Sequence, residues 1–394
     1  MSIYQSLGVT PIINATGTFT RLSGTLMPPE VTTAMVEASK EFVCIEDLQF
    51  QAGKTIADLT GAEAAYVTSG AQAGIVLSIA ACITGLDPVK MDQLPHTEGL
   101  KREVIMARPH RNHYDHGIEA AGAKIIEVGK PDHCTPDEIK AALSDQTVAL
   151  FFVPGHPQAG VSLEQMVAIG RQANMPVVVD GAGRLDDPTN LQGFITAGAD
   201  LVIFSGGKYI RGPQASGFVC GRQDLMAAIA WQHLDMDVTP GVWTAPHDLL
   251  GLDPETMPFV PRQGIGRGYK AGKEEIVGLI TALRLFVKRD HISERAEMGR
   301  KLTAIMDGVA DVPHLEAAIH QGPGVLPLLY LHLDEAGLGK TAYEVMLELK
   351  QGQPSIHPHE CGLADGAIVI QPFNLQAGDD AQIVTRMREI MMVP

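Results

Sequence analysis

Between residues 64 and 220 the chain repeats one pattern: a short, unbroken apolar run followed by a helix-length segment. The runs are Ala64–Thr68, Glu103–Arg108, Lys124–Gly129, Thr147–Val153, Pro176–Asp180, Leu201–Phe204 and Gly217–Cys220. They are largely continuous rather than alternating. A strand with that pattern is buried on both faces. Helical stretches are expected at Ala71–Thr84, Pro136–Leu143, Leu163–Asn174 and Leu191–Ala197. Thr135 can cap the second of these, and Pro136 suits its first position. Strand–helix repetition of this kind predicts an α/β domain: a doubly wound, mostly parallel sheet with helices on both sides.

Outside that block the pattern changes. Residues 235–275 are rich in Pro, Gly and Trp and read as a long connection. A helical stretch runs from Lys273 to Arg289, and beyond it helices mix with short strands such as Gly324–Leu333 and Ala367–Gln371. The expected division is an N-terminal segment, 1–50, that packs on both domains; a large α/β domain, 51–260; and a smaller α+β C-terminal domain, 261–394. A chain of 394 residues has room for two or three domains at about 150 residues each.

Charge narrows the partners. A net charge of −16 repels phosphodiester backbones and anionic lipid, so neither nucleic acid nor membrane is expected. Five widely spaced cysteines without a CxxC predict reduced thiols and a cytoplasmic setting. Neither a signal peptide nor an apolar run of about 18 residues is read. Gly70-Ala71-Gln72-Ala73-Gly74 is not GxGxxG, and GxxxxGK[ST] is absent, which argues against a nucleotide fold.

Three segments carry chemistry, each at the carboxyl end of an expected strand, where ligands gather in open α/β sheets. Ser205-Gly206-Gly207-Lys208 ends a buried run in a small-residue turn. A lysine near low-dielectric walls has its amine pKa lowered and can form a Schiff base; a solvated turn lysine is the plain alternative. Asp180 ends Pro176–Asp180, where a carboxylate can hold a heterocyclic nitrogen protonated or cap the next turn. Thr68-Ser69-Gly70-Ala71-Gln72 opens a helix, where backbone N–H groups can cradle a phosphate, with Ser69 as a simple N-cap in the alternative.

Phosphate cradle, carboxylate and lysine in that chain order resemble the pyridoxal-5′-phosphate (PLP) enzymes of the aspartate-aminotransferase fold, PLP fold type I. The resemblance covers most of the chain. It is nearest to the selenocysteine-synthase-like branch that includes D-glucosaminate-6-phosphate ammonia-lyase. Asn14-Ala15-Thr16-Gly17, Leu26-Met27-Pro28-Pro29-Glu30-Val31, Gly61–Ala71, Ser205–Lys208 with Gly212-Pro213-Gln214, and Gly272–Glu275 carry it. It implies Lys208 as the Schiff-base lysine and general base, Asp180 on the pyridine nitrogen, and Ser69, Gly70, Ala71 and Gln72 on the phosphate, with Ser205 in the cofactor site. It implies His113, or failing that Tyr114, stacked on the ring, and Arg267 gripping phosphate across a dimer interface. Arg21, Ser23, Tyr114 and Gln214 are expected toward substrate. No metal is expected, because the His110–His116 spacing is not a zinc pattern.

The resemblance also bears on the reaction. Gln371-Pro372-Phe373-Asn374-Leu375 lacks the arginine that many aminotransferases of this fold use for the substrate carboxylate, leaving Arg21, Arg111, Arg184 and Arg211 as candidates. The expected activity is a PLP-dependent lyase on a small β-hydroxy amino acid, such as a phosphorylated amino sugar acid, giving a 2-keto acid and ammonia. Alternatives are a racemase or epimerase, a selenocysteine-synthase-like transferase, and a PLP-binding regulator. The acidic chain and the short stretch before Asn14 speak against a tRNA partner. A homodimer or higher homo-oligomer with a shared active site is expected.

Overall fold

The structure is a computed structural model that describes residues 2–155, 160–234, 237–243, 249, 263–322 and 324–392. The chain divides into two compact units, Met27–Lys288 and Met1–Leu26 with Arg289–Pro394.

The larger unit is built on seven strands: β2 (Ala64–Thr68), β3 (Glu103–Ala107), β4 (Lys124–Val128), β5 (Thr147–Phe152), β6 (Val177–Asp180), β7 (Leu201–Ser205) and β8 (Gly217–Gly221). Their order is β2-β8-β7-β6-β5-β3-β4. Strands β3 to β7 pair in parallel, and β8 runs antiparallel to both of its neighbours. The continuous apolar runs are explained by two cores. Ile105, Val177, Val179, Val202 and Phe204 enter one of them, whereas Val104, Met106, Val178, Leu201 and Ile203 enter the other. Helix Ala71–Thr84 covers the second face with Gln223–His233, and Leu163–Ala173 covers the first with Ile45–Thr60. The expected Thr135 cap is present as a reciprocal pair, since its hydroxyl accepts the Glu138 amide while Glu138 accepts from the Thr135 amide.

The units divide elsewhere than expected. Residues 27–50 belong to the larger unit, where Pro29–Ala38 and the start of Ile45–Thr60 are helical. Their helices pack on Lys273–Lys288: Lys273 Nζ donates to the Ala38 and Glu41 carbonyls at 2.6 Å, and Gly278 lies against Met35. The division therefore falls after Lys288, while the expected boundary at 260 lies outside the described residues. Close approach of Ile45–Thr60 to the sheet depends on Gly53, where a Cβ would sit 2.2 Å from the Ala65 carbonyl oxygen. Gly53→Ala is expected to lower unfolding stability by about 1–3 kcal/mol through this overlap, measured by denaturant titration.

The smaller unit is α+β. Strand β1 (Ile12–Ala15) pairs in parallel with β11 (Ser355–Pro358), and β9 (Leu315–Gln321), β10 (Pro327–Leu333) and β12 (Ala367–Ile370) form an antiparallel sheet in the order β12-β10-β9. Helices His291–Gly308, Ala342–Gln351 and Asp379–Met392 close its core around Leu302, Leu329, Val345, Ile368 and Met387. Gln371–Leu375, read above as a neighbourhood without arginine, has a structural task here. The Asn374 amide donates to the Gly17 and Gly24 carbonyls at 2.9 Å, tying the N-terminal segment to this unit.

Candidate active site

The parallel pairing of β6 and β7 brings Asp180 and the Lys208 turn to one rim of the larger unit's sheet. Asp180 closes β6, opposite Ile203, and β7 ends at Ser205, just before that turn. Ser205 and Thr68 both pair with Gly217, so the Ser69–Gln72 turn shares the rim.

Lys208 is held by a folded loop. The Gly206 amide donates to the Ser216 carbonyl and the Gly212 amide to the Gly206 carbonyl, both at 2.8 Å, and the Arg211 amide donates to the Lys208 carbonyl at 2.9 Å. A side chain at Gly207 would come within 2.5 Å of Gln214 Cα, which is why small residues must precede the lysine. The half-buried amine is held below the ordinary lysine range, first by burial; Arg184 pushes the same way and Asp180 opposes them. Burial raises the Asp180 carboxyl above the usual carboxylate range, while the Ala182 amide, donating at 3.0 Å, and the charges of Lys208 and Arg184 pull it back. Lysine and aspartate are thus in mutual electrostatic contact.

The glycine turn is an open helix start. Helix Ala71–Thr84 begins after Gly70 at φ 140°, and no side chain caps it, so Ser69 is not its N-cap. Thr68 Oγ1 donates to the Gly70 carbonyl at 2.9 Å and fixes the turn. Gly217 backs it so closely that a Cβ there would lie 2.8 Å from Gly70 C, whereas a Cβ at Gly70 itself would meet nothing within 4 Å. Uncapped N–H groups beside open space, at the positive end of a helix, suit an anion. The Gln72 side chain donates to the Tyr114 carbonyl at 3.2 Å, linking this turn to the next segment.

That segment holds His113 and Tyr114 exposed in a one-turn helix, with Asn112 Oδ1 accepting the Tyr114 amide at 2.8 Å. Its fixed point is Asp115, a buried carboxylate paired with Arg111 at 2.5 Å and within electrostatic reach of Asp180. Sequence reasoning passed over Asp115; the Arg111…Asp115 spacing of four residues was the available signal.

The remaining expected residues lie on other segments. Gln214 is exposed, its backbone against Gly207. Arg267 lies in the turn Ile265–Tyr269 and is close enough to His233 to lower its pKa further. There the His233 Nε2–H donates to the Tyr269 carbonyl at 3.0 Å and its Nδ1 accepts the buried Tyr66 hydroxyl at 2.9 Å. Arg21 and Ser23 belong to the smaller unit, where Arg21 pairs with Glu360 at 2.6 Å and Ser23 is exposed at φ 68°. Among the described residues, no helix is long and apolar enough to cross a membrane.

Known proteins identify the family of the chain. The family model for L-seryl-tRNA selenium transferase matches residues 114–237. A D-glucosaminate-6-phosphate ammonia lyase of Salmonella typhimurium is 31% identical, the match spanning 99% of this chain and 98% of the relative. A 5'-C-glycyluridine monooxygenase-decarboxylase of Streptomyces is 30% identical over 99% of this chain and 92% of its own length. Among solved structures, a D-glucosaminate-6-phosphate ammonia-lyase superposes with a TM-score of 0.83 at 31% identity, covering 100% of this chain and 98% of the other. The cysteine desulfurase CsdA from Escherichia coli shares the fold alone, with a TM-score of 0.58 at 16% identity over 97% of this chain and 95% of its own. The chain belongs to the selenocysteine-synthase-like family of PLP fold type I enzymes that includes D-glucosaminate-6-phosphate ammonia-lyase.

Proposed function

We propose that the protein is a PLP-dependent lyase that converts a phosphorylated amino sugar acid, or another small β-hydroxy amino acid, into a 2-keto acid and ammonia. The observation that carries this reading is the shared rim: the Lys208 amine, lowered chiefly by burial, and the half-buried Asp180 carboxylate within electrostatic reach of it stand on the rim that also bears an uncapped helix start. These residues fit pyridoxal phosphate by their chemistry. An amine can hold its aldehyde carbon, an acid can hold its ring nitrogen, and open backbone N–H groups can hold its phosphate. When bound, the cofactor supplies an electron-poor ring that takes up the electron pair left when a bond at the substrate α-carbon breaks.

The chain's own residues do the rest. Lys208 would hold the cofactor until substrate arrives; its freed amine would take the α-proton and return a proton to the departing β-hydroxyl, which leaves as water, and once Lys208 has the cofactor back the released enamine would tautomerise to an imine that a water hydrolyses to the 2-keto acid and ammonia. Burial and Arg184 keep that amine neutral over a wider pH range and therefore basic in use. Asp180 keeps a proton on the ring nitrogen by charge pairing. Ser69, Gly70, Ala71 and Gln72 would hold the phosphate, and His113, or else Tyr114, would stack on the ring, with Ser205 in the cofactor site. Arg267 reaches a neighbouring subunit's phosphate in a homodimer or larger assembly.

The test is an assay with D-glucosaminate 6-phosphate, following keto acid and ammonia together. Equimolar release of both supports the lyase. Exchange of the α-hydrogen in D₂O without keto acid overturns it in favour of a racemase. Because one relative is named a monooxygenase-decarboxylase, the same assay is run with and without oxygen, and oxygen-dependent loss of CO₂ overturns the lyase reading as well.

A further inference from the structure

An α-amino acid brings its carboxylate to the enzyme on the same carbon that bears its nitrogen. Wherever the Lys208 amine marks the place of that nitrogen, a carboxylate must lie within a few bonds of it, and something must receive it. Of the four candidate arginines, Arg111 is committed to Asp115 and Glu127 at 2.5 and 2.8 Å, Arg21 is paired with Glu360 in the smaller unit, and Arg211 is a turn residue at φ 62° whose amide bonds to the Lys208 carbonyl.

Arg184 is placed differently. It sits in the loop that leaves β6, four residues after Asp180. Its backbone is pinned on both sides: its amide donates to the Gly181 carbonyl at 3.0 Å, and its carbonyl accepts from the Asn190 side chain at 2.7 Å. Next to it, Gly183 brings the loop to the lysine, since a Cβ there would lie 3.8 Å from Lys208 Nζ. The guanidinium itself crosses to the segment after β5 and occupies the room left by Gly155, where a Cβ would fall 2.2 Å from both Cζ and Nη2. Gly155 has φ 95°, so its conformation and its missing side chain both favour glycine. The side chain is half-buried, and among the described residues it makes no ion pair. Its charge is felt at both Asp180 and Lys208.

A half-buried guanidinium that makes no ion pair among the described residues suits an anion, and its planar fork matches a carboxylate. Asp180 is the nearby negative charge, but in the proposed reading it serves the cofactor ring. The phosphate of a sugar acid lies several carbon–carbon bonds further from the amine than the carboxylate does.

We propose that Arg184, seated on Gly155, is the residue that binds the substrate α-carboxylate. This rests on the PLP reading of the site above. The test uses the holoenzyme and two small amines, glycine and ethanolamine, of which the second bears a neutral hydroxymethyl group in place of the carboxylate, each titrated against the cofactor absorbance band. Wild type should bind glycine more tightly than ethanolamine, and Arg184→Gln should lose about thirty-fold or more in glycine affinity while keeping its ethanolamine affinity. Arg184→Lys should restore part of the preference. Absence of a carboxylate preference in wild type overturns the inference, as does a preference that survives in Arg184→Gln. An equal loss for both amines overturns it too, because it assigns Arg184 to the shape of the pocket. Failure of the PLP reading has a separate signature: wild-type protein that carries no reducible cofactor at Lys208.

Discussion

Lys208→Ala should leave a folded protein that takes up PLP without fixing it. Treatment of wild type with borohydride makes the cofactor attachment permanent, and a peptide containing Lys208 should then carry the added mass. The alanine variant should show no such peptide. Turnover should fall by about 10³-fold or more, because the variant loses both the anchor and the base that moves the α-proton, and acid–base catalysis by one positioned group contributes about 10²–10⁴-fold. The amine's environment adds a pH test. Burial and Arg184 hold it below the ordinary lysine range, and Asp180 only partly opposes them. The neutral amine is the nucleophile, so the rate of cofactor attachment to apoprotein should rise with pH and level off below the pH expected of an exposed lysine. A midpoint at the exposed-lysine value would remove the buried-amine account of this site.

The parts of the molecule that were legible in the sequence are those where a local rule and the tertiary structure agree. Most runs of the sheet were readable because burial on two faces leaves no room for polar alternation, as in β5, where all six residues are buried, whereas the edge strand β4 has Lys124 and Glu127 exposed and only Val128 buried. Lys208 and Asp180 were readable because each ends such a run, and strand ends are where a parallel sheet gathers ligands. The helix Ile45–Thr60 was not. Gln49 lies on its buried side, where its amide bonds with the Val67 backbone, so a polar residue interrupts the apolar stripe. The placement of Arg184 was equally hidden. As a side chain it was one of several candidate arginines, and what singles it out is contact with Gly155 from a different loop. The nearness of Asp115 to Asp180 was hidden as well, since it arises from strand order and not from spacing. Long-range juxtaposition leaves no periodic trace.

Asp180→Asn should separate function from stability in opposite directions. In the apoprotein, burial holds this carboxyl above its usual range. The folded chain therefore binds the proton more readily than the unfolded chain does. Stability falls as pH rises through the window between the two pKa values and stays lower above it. An asparagine has no charge to desolvate, so the apo variant at neutral pH should be as stable as wild type or more so, and the fall through that window should vanish from its thermal unfolding curves. With cofactor the order reverses. Asp180 is the charge that keeps the ring nitrogen protonated, and breaking a buried charge pair by removing one partner costs about 3–5 kcal/mol. Turnover should drop by about 10²–10³-fold with Lys208 still attached to the cofactor and with glycine affinity little changed, since Arg184 is intact. A variant that is already less stable than wild type as apoprotein and also loses activity would mark Asp180 as a structural cap of the turn at Ala182 and would remove it from the chemistry.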